Sequence, residues 1–382
     1  MAYPFPYPQP ETDMKTDGET IHVAGAGPAG LAAAITLARA GRRVVVHEAR
    51  PTVGARFRRD FQGIENWSGR EDALESLRAL GIETRFDYLP GTRGWAYDAW
   101  GVRYPIRTRR PLFYLIERGP GPGTLDSALL AQARALGIEV RFNTRMAPAV
   151  PVGIDATGPR LAQAVAVGYH FETELPDGFH VICDDGLAPK GYAYLLVWNG
   201  RGTLKTCLFE DFGRANLYVA RTVEAFERLV GLRMRNPRRH GGIGQFGLPP
   251  VNRAGGRLLA GERAGFQDFL WGFGIRYAIL SGVLAARSLL DGIDYVKESH
   301  AAFMGPMRAA LVNRQLYAVL GNRGYRWALR RVASSRDLCE SLRRRYRPSA
   351  LTWLMWPWAR WRAGCGLGPA AGESGTSRRG TG

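Results

Sequence analysis

The chain has 382 residues, 46% of them hydrophobic, and a formal net charge of +18. This length suffices for one large domain or two interleaved ones. The four scattered cysteines argue against a disulfide framework or a zinc site and fit a reducing cytoplasm, and no apolar run reaches the roughly 18 residues that a membrane span needs.

The positive charge comes almost entirely from arginine. There are only four lysines (Lys15, Lys190, Lys205 and Lys297), so 52 − 4 = 48 of the basic residues are Arg. Such a skew is more typical of codon composition than of nucleic-acid binding, and we predict no nucleic-acid partner. The charge is uneven, because residues 321–382 hold 13 Arg against three acids, or 13 − 3 = +10.

Hydrophobic periodicity predicts α/β pieces at the start, middle and late part of the chain, with a β-rich block between them. In chain order the patterns first predict strand–turn–helix–strand over 21–48, a helix over 69–81 and short strands over 93–117. A helix over 125–137, a strand over 138–142 and strand-length pieces over 165–220 follow. The last part is predicted as a strand over 257–260, a helix over 275–290 and only helices after about 296. We expect an α/β fold in which a Rossmann-like domain is assembled from discontinuous segments and is joined to an antiparallel β-sheet substrate domain and a helical C-terminus.

The predicted boundaries follow from these patterns. We expect a disordered leader over 1–18, a nucleotide-binding domain from 19–68, 108–162 and 250–295, a substrate domain from 69–107 and 163–249, a C-terminal helical region over 296–362 and a disordered tail over 363–382.

The segment Gly25-Ala26-Gly27-Pro28-Ala29-Gly30 is a complete G-x-G-x-x-G, preceded by an apolar strand and followed by a helical pattern. Gly25 permits the tight turn, Gly27 lets the backbone approach a pyrophosphate, and Gly30 allows the helix to pack on the sheet. Glu48 follows the second strand, 48 − 25 = 23 residues after the first glycine, where a carboxylate accepts the ribose hydroxyls and disfavours a 2′-phosphate. The sequence therefore predicts a dinucleotide site.

A second G-x-G-x-x-G occurs at residues 242–247. Pro249 and Pro250 follow it closely, so it cannot open into a helix. We therefore expect no second dinucleotide fold. The six histidines are isolated in sequence and none has a metal-binding spacing, so we predict no metal site.

Beyond the first motif, the chain resembles the geranylgeranyl reductase family of FAD-dependent oxidoreductases, within the aromatic-hydroxylase-like flavoproteins. The resemblance covers roughly residues 20–290. Three early segments support it: the opening motif with Glu48, Arg118 before Thr124-Leu125-Asp126, and Asp155-Ala156-Thr157-Gly158. Two late segments also match: Leu259-Ala260-Gly261-Glu262-Arg263-Ala264-Gly265-Phe266 is similar to the family's "GDAAGF", and Gly272-Phe273-Gly274-Ile275 is similar to the helix start that follows it.

The resemblance implies bound FAD, with NAD(P)H or another reductant as a transient electron donor. It implies that the late acid contacts the ribityl chain and that the helix start near Gly274 faces the flavin N1–C2=O edge, where amide N–H groups stabilise the anionic reduced ring. The implied cofactor-binding residues are Gly25, Ala26, Gly27, Pro28, Ala29, Gly30, Glu48, Ala49, Arg118, Gly158, Gly261, Glu262, Gly272, Phe273, Gly274 and Ile275.

The chain departs from the family pattern in three places. Glu262 and Arg263 stand where the family has Asp and Ala. The cysteine-bearing loop after the first βαβ is replaced by residues 53–57, and the substrate-strand pattern P-x-x-Y-x-W-x-F-P is matched only in part. Tyr192 and Tyr194, at i and i+2, share one face of a strand, where they either line a substrate pocket or provide ordinary sheet packing.

The C-terminal region combines Arg343, Arg344, Arg345 and Arg347 with Trp353, Trp356, Trp358 and Trp361. This composition is typical of a segment at a membrane interface. It also suits a helix that covers the substrate domain with its tryptophans in the core, and the sequence does not choose between the two.

The leading functional hypothesis is FAD-dependent reduction of a C=C bond in a hydrophobic, isoprenoid-type substrate. A flavin monooxygenase and a non-enzymatic flavin electron carrier are the alternatives. We expect a cytoplasmic protein, peripheral on the inner face of the membrane if the C-terminal segment is interfacial.

Overall fold

The structure is a computed structural model that describes residues 20–147, 153–248 and 250–366, with side chains described to residue 364. The predicted leader and residues 367–382 of the predicted tail lie outside the described residues. Residues 363–366, assigned from the sequence to the tail, are the last turn of a helix.

The first sheet is the Rossmann-like one, and its strands come from widely separated parts of the chain. All neighbouring strands are parallel except the first pair. The strand order is β15 (Arg253–Ala254), β16 (Arg257–Leu259), β9 (Gly153–Asp155), β1 (Ile21–Ala24), β2 (Val44–His47) and β8 (Glu139–Arg141). Buried, β-branched strands such as Val44–Val46 are typical of parallel sheets, which are covered on both faces.

Three helices accompany this sheet: α1 (Pro28–Arg39), α3 (Leu125–Ala135) and α5 (Ile275–Asp291). Helices α1 and α5 cross closely because Gly282 has no side chain. A Cβ atom at Gly282 would lie 2.1 Å from the carbonyl oxygen of Ala29. This crossing brings the starts of α1 and α5 towards the same region.

The second sheet belongs to the predicted substrate domain and has seven strands. Their order is β14 (Arg235–Gly244), β10 (Ala164–Glu172), β13 (Arg201–Leu208), β12 (Tyr192–Trp198), β11 (Gly178–Cys183), β5 (Arg93–Asp98) and β6 (Arg103–Arg107). The predicted antiparallel sheet is confirmed, and the structure adds one parallel pair to it. Strands β5 and β11 are parallel, since the chain leaves the sheet after β6 and returns much later.

A small antiparallel sheet joins the two larger ones. It consists of β3 (Phe61–Glu65), β7 (Phe113–Glu117) and β4 (Tyr88–Pro90), and α2 (Ala73–Ala79) lies between β3 and β4 in the chain. The backbone N–H of Phe61 donates to Thr203 Oγ1 of β13 at 3.1 Å. The β3 segment is thereby fixed against the substrate sheet.

The strand-type pattern predicted over 165–220 ends too late. Residues from 215 onward form α4 (Ala215–Val230). Its buried residues include Tyr218, Val219, Thr222, Ala225 and Phe226, which follow helical rather than alternating spacing. They cover one face of the seven-stranded sheet, where Ala225 and Phe226 join a second hydrophobic core.

The C-terminal region is helical as predicted, with α6 (Tyr295–Ser299), a π-helical turn (His300–Met304), α7 (Gly305–Ala333), α8 (Leu338–Tyr346) and α9 (Ala350–Gly366). Helix α7 is broken at Gly321, whose φ is +58°. Within the described residues, every helix is too short or too polar to cross a lipid bilayer.

Candidate cofactor and substrate site

The glycine-rich turn follows β1, and each glycine has a distinct geometric reason. Gly25 has φ +96°, and a Cβ atom there would lie 2.5 Å from the carbonyl oxygen of Ala156. A Cβ atom at Gly30 would lie 1.9 Å from the carbonyl oxygen of Gly25. A Cβ atom at Gly27, in contrast, would meet no atom within 4 Å. Gly25 and Gly30 close the turn, and Gly27 leaves room beside it.

The space beside Gly27 lies at the N-terminus of α1. Gly27 caps this helix in extended conformation without a side-chain hydrogen bond, and Pro28 occupies the first turn. The first backbone N–H groups of a helix have no acceptor within the helix, and the helix dipole favours an anion there. This cradle, which a side chain at Gly27 would fill, fits a dinucleotide pyrophosphate.

Glu48 lies directly after β2 and reaches the glycine-rich turn. Its Oε2 accepts a hydrogen bond from the Ala26 N–H at 2.8 Å, and its Oε1 accepts one from the Arg50 N–H at 2.9 Å. A carboxylate has about four acceptor positions, so two remain. The carboxylate therefore organises the turn and retains capacity for two ribose hydroxyls.

We expect Glu48→Ala to weaken FAD binding by about 1–3 kcal/mol, the range for loss of a charged hydrogen-bond partner. Calorimetric titration of the apoprotein measures this loss. Glu48→Gln is the matched control, since it keeps one acceptor oxygen. Unchanged affinity in Glu48→Ala would show that the ribose does not bind here.

The late glycines form a second uncapped helix start. Gly272 has φ +74°, and Gly274 precedes α5 without a side-chain cap. Asp268, which no sequence pattern indicated, holds this turn: its carboxylate accepts hydrogen bonds from the N–H groups of Leu270 and Trp271 and from Tyr346 Oη. Burial raises the pKa of Asp268 to about 6.

The two departures in the late motif have partners. Oε2 of Glu262 lies 3.5 Å from Nη2 of Arg56, and burial raises the pKa of Glu262. Nε of Arg263 donates to Oδ2 of Asp155 at 3.0 Å. Arg263 thus connects the late motif to the end of β9, and Glu262 is held by an arginine from the segment that replaces the family's cysteine loop.

Arg118 is buried and its guanidinium makes three hydrogen bonds. It donates to both oxygens of Asp126 at 2.8 and 2.9 Å and to Oε1 of Gln62 at 2.9 Å. Its guanidinium carbon lies 4.1 Å from the centre of the Phe57 ring. Arg118 therefore orders the wall of the site through Asp126 and Gln62.

These elements surround one cavity of about 890 Å³. Every predicted cofactor residue contributes to its wall except Gly30, which lies inside the turn. Tyr192 and Tyr194 also line it, with ring centres 6.2 Å apart, and the Tyr192 hydroxyl donates to the Trp271 carbonyl. The cavity continues to α7 and α8, where Leu329, Val332, Leu338 and Leu342 form part of its wall.

A polar cluster in the same cavity was not predicted. Asp60, Lys205 and His240 line the cavity, and His170 contacts Asp60. The histidines are 70 residues apart in sequence, and only the pairing of β10 with β14 brings them together. One potential metal-ligating atom from each of Asp60, His170 and His240 lies within 4.8 Å of the other two. Lys205 Nζ contacts both Asp60 and His240, so the cation at this cluster is the lysine itself.

The second glycine motif lies on the other side of the cavity. Gly242 and Gly244 belong to the edge strand β14, and a turn without helix follows. Within the described residues, the only βαβ unit that carries a G-x-G-x-x-G turn is therefore the N-terminal one.

Comparisons with known proteins agree with this geometry. Residues 23–65 match the family described as NAD(P)-binding Rossmann-like domain. An alignment over 108 residues is 39% identical to hydroxysqualene dehydroxylase of Rhodopseudomonas palustris and covers 23% of this chain. The chain thus spans only about a quarter (26%) of that relative's length.

Two solved structures extend the likeness to the whole fold. A geranylgeranyl bacteriochlorophyll reductase-like protein from Thermoplasma acidophilum has a TM-score of 0.68 at 16% identity, over 91% of this chain and 100% of the other. The protein pqsL of Pseudomonas aeruginosa, described as a probable FAD-dependent monooxygenase, has a TM-score of 0.59 at 17% identity, over 83% of this chain and 100% of the other. The predicted resemblance is confirmed at the level of the fold: the chain shares the architecture of these two solved structures, and its Rossmann-like domain begins with the matched segment 23–65.

Proposed function

We propose that this chain is an FAD-dependent oxidoreductase that reduces a C=C bond in an apolar, isoprenoid-type substrate. The observation that carries the proposal is the continuity of the cavity. One end has the dinucleotide cradle at Gly27 and Glu48, and the other has an aliphatic wall from α7 and α8. A ligand with a long apolar chain fits a site of this kind, since burial of apolar surface drives its binding.

The names of two similar proteins support the isoprenoid class, because they refer to hydroxysqualene and to a geranylgeranyl group. When bound, FAD would supply a hydride acceptor and donor. The first turn would bind the nucleotide, the uncapped start of α5 would offer amide N–H groups to the ring, and Tyr192, Tyr194 and Phe273 in the cavity wall would exclude water. NAD(P)H or another reductant would serve as the transient donor.

The direct test is a single turnover. The FAD-loaded protein is reduced anaerobically with dithionite and mixed with geranylgeraniol as the probe alkene. We expect flavin reoxidation together with a product two mass units heavier. A monooxygenase would give a different result: the flavin would stay reduced with this probe under anaerobic conditions, and the probe would stimulate oxygen uptake in air. This outcome would agree with the likeness to pqsL. Reoxidation that the probe never affects would favour an electron carrier.

We further propose that the substrate is taken from an anionic membrane surface through α9. This helix has two stripes at helical spacing. The outward stripe contains Leu351, Leu354 and Trp361, which are 59%, 77% and 67% exposed. The neighbouring α8 ends in the exposed residues Arg344 and Arg345 and also contributes Leu338 and Leu342 to the cavity.

Aromatic rings and arginines on one surface suit the interface of an anionic bilayer, where each basic residue contributes about 1 kcal/mol. Helix α8, which follows the same surface with its exposed arginines, also carries Leu338 and Leu342 of the cavity wall. A lipid bound at this surface would enter the cavity along α8.

A further inference from the structure

The polar cluster at Asp60 is enclosed by three strands of the substrate sheet and the segment before β3. Lys205 on β13 is 2% exposed, and its Nζ lies 3.4 Å from Oδ1 of Asp60. The same Nζ contacts Nδ1 of His240 on β14. Burial of a lysine is costly unless it is paired, and Asp60 supplies the opposite charge.

The sheet leaves space for this arrangement at Gly168 on β10. Gly168 is directly opposite Lys205 on one side and His240 on the other. Residues opposite one another in a ladder share a face of the sheet, so a side chain at Gly168 would stand between them. A Cβ atom there would also lie 1.9 Å from the Leu204 carbonyl oxygen. Glycine at 168 therefore permits the contact between Lys205 and His240.

The hydrogen bonds define the proton positions. Nε2 of His240 lies 2.8 Å from the Arg56 carbonyl oxygen, which can only accept, so this nitrogen carries the proton. Nδ1 of the neutral ring is then an acceptor for Lys205. Burial, followed by the Lys205 charge, lowers the pKa of His240, and the ring is neutral near pH 7.

Three donors face the Asp60 carboxylate. Besides Lys205, its carboxylate accepts from Nε2 of His170 at 2.9 Å and from Nε2 of Gln62 at 3.1 Å. Burial alone would raise the pKa of Asp60, but the Lys205 ammonium and the His170 hydrogen bond hold it well below its usual range. Asp60 therefore stays ionised and is not the group that releases a proton.

Lys205 has one unused proton. An ammonium has three donors, and two of them face His240 and Asp60. Among the residues that the structure describes, none accepts a hydrogen bond from the third, and the side chain lines the cavity. The His170 and His240 rings, 4.4 Å apart, are 14% and 10% exposed, which gives the cluster contact with solvent.

We propose that Lys205 is the proton donor for the reduction, that Asp60, His170 and His240 position it, and that solvent supplies the replacement proton. This inference rests on the proposed function. Reduction converts the C=C bond to CH–CH. One carbon receives the hydride of the reduced flavin, and the π electron pair forms the bond between the other carbon and the Nζ proton of Lys205. Lys205 is left as the neutral amine, and one solvent proton restores it.

The acidity of Lys205 suits this role. The groups around it are Asp60, His240, Cys207 on its own strand and Tyr194, which is directly opposite on β12. Burial lowers the pKa of Lys205, and the nearby Asp60 charge only partly opposes this. The ammonium is therefore a stronger acid than an exposed lysine, as general acid catalysis near neutral pH requires.

The first test needs no substrate. With only four lysines in the chain, brief acetylation with acetic anhydride across a pH series can be mapped on each one by mass spectrometry. We expect Lys205 of the folded holoprotein to react with a midpoint below that of the exposed Lys297. Asp60→Asn should move the Lys205 midpoint further down, because the stabilising charge is removed. A Lys205 midpoint equal to that of Lys297, or reaction only after unfolding, would overturn the proposal.

The second test uses the single-turnover assay with geranylgeraniol. Lys205→Met should leave flavin reduction by dithionite unchanged and slow probe-dependent reoxidation by about 100-fold or more. Lys190→Met is the matched control, since Lys190 lies outside the cavity wall and forms a partly buried pair with Asp185 at 3.2 Å. Wild-type turnover rates in a folded Lys205→Met variant would overturn the proton-donor assignment. Wild-type protein that never reduces a C=C bond of geranylgeraniol would overturn the proposed function instead. The pH midpoint of Lys205 acetylation would still test the acidity of this lysine.

Discussion

Replacing Gly27 with valine should abolish FAD binding and leave the protein folded. Gly27 is in extended conformation, with φ −82° and ψ −179°, which valine adopts readily. An added Cβ atom meets no protein atom within 4 Å, so the fold has room for it. That room is the place where the backbone would approach the pyrophosphate, and the valine side chain would occupy it.

The measurement is a thermal unfolding series with added FAD. At an FAD concentration of 100 times Kd the wild-type protein should gain about 2.7 kcal/mol of stability, whereas Gly27→Val should gain none. Without FAD the two proteins should unfold at nearly the same temperature.

Two further glycines give matched controls. Gly213 is exposed, lies away from the cavity and also has open space around a Cβ atom, so Gly213→Val should retain FAD. Gly30→Ala should fail to fold properly, because its Cβ atom would lie 1.9 Å from a carbonyl oxygen. Wild-type FAD affinity in Gly27→Val would show that the cradle does not hold the nucleotide.

The nucleotide site could be predicted from the sequence because its determinants are local. Residues 21–48 contain the strand, the glycine turn, the helix and the terminal carboxylate in one continuous unit. The turn requires glycine at 25 and 30 for reasons of backbone geometry alone, and sequence spacing records those requirements directly.

The proton-donor cluster could not be predicted in this way. Asp60, His170, Lys205 and His240 come from four separate segments, and they meet only through the register of β10 with β13 and β14. Isolated histidines in a sequence give no sign of such pairing. The parallel pairing of β5 with β11 was missed for the same reason, since it joins strands about 85 residues apart.

The sequence of α9 suits either a membrane-interface segment or a helix that covers the substrate domain. The structure places the residues that distinguish these two roles on opposite sides of the helix. Its inward stripe contains Thr352, Ala359 and Ala363, which are buried, and Trp356 packs against the main core. The outward stripe contains Leu354 and Trp361. The four tryptophans are therefore not equivalent, and each alternative makes a different prediction for each stripe.

We expect Leu354→Ser and Trp361→Ser to lower partition onto anionic vesicles without lowering the unfolding temperature. Each side chain is more than 60% exposed, so the folded protein loses little packing. Burial of a large apolar side chain contributes about 1.5–3 kcal/mol, and each 1.4 kcal/mol is tenfold in affinity. Cosedimentation with phosphatidylserine–phosphatidylcholine vesicles should therefore weaken about tenfold or more in each variant.

Trp356→Ser is the matched control because it removes the same ring from the opposite stripe. Trp356 packs against the core, with the Arg308 guanidinium carbon 5.0 Å from its ring centre, so this variant should unfold at a lower temperature and still bind vesicles while folded. Salt separates the two contributions to binding: the arginine part should fall as ionic strength rises, while the part from Leu354 and Trp361 should persist. If Leu354→Ser and Trp361→Ser bind vesicles like the wild type, α9 is only a cover for the fold and the substrate reaches the cavity by another path.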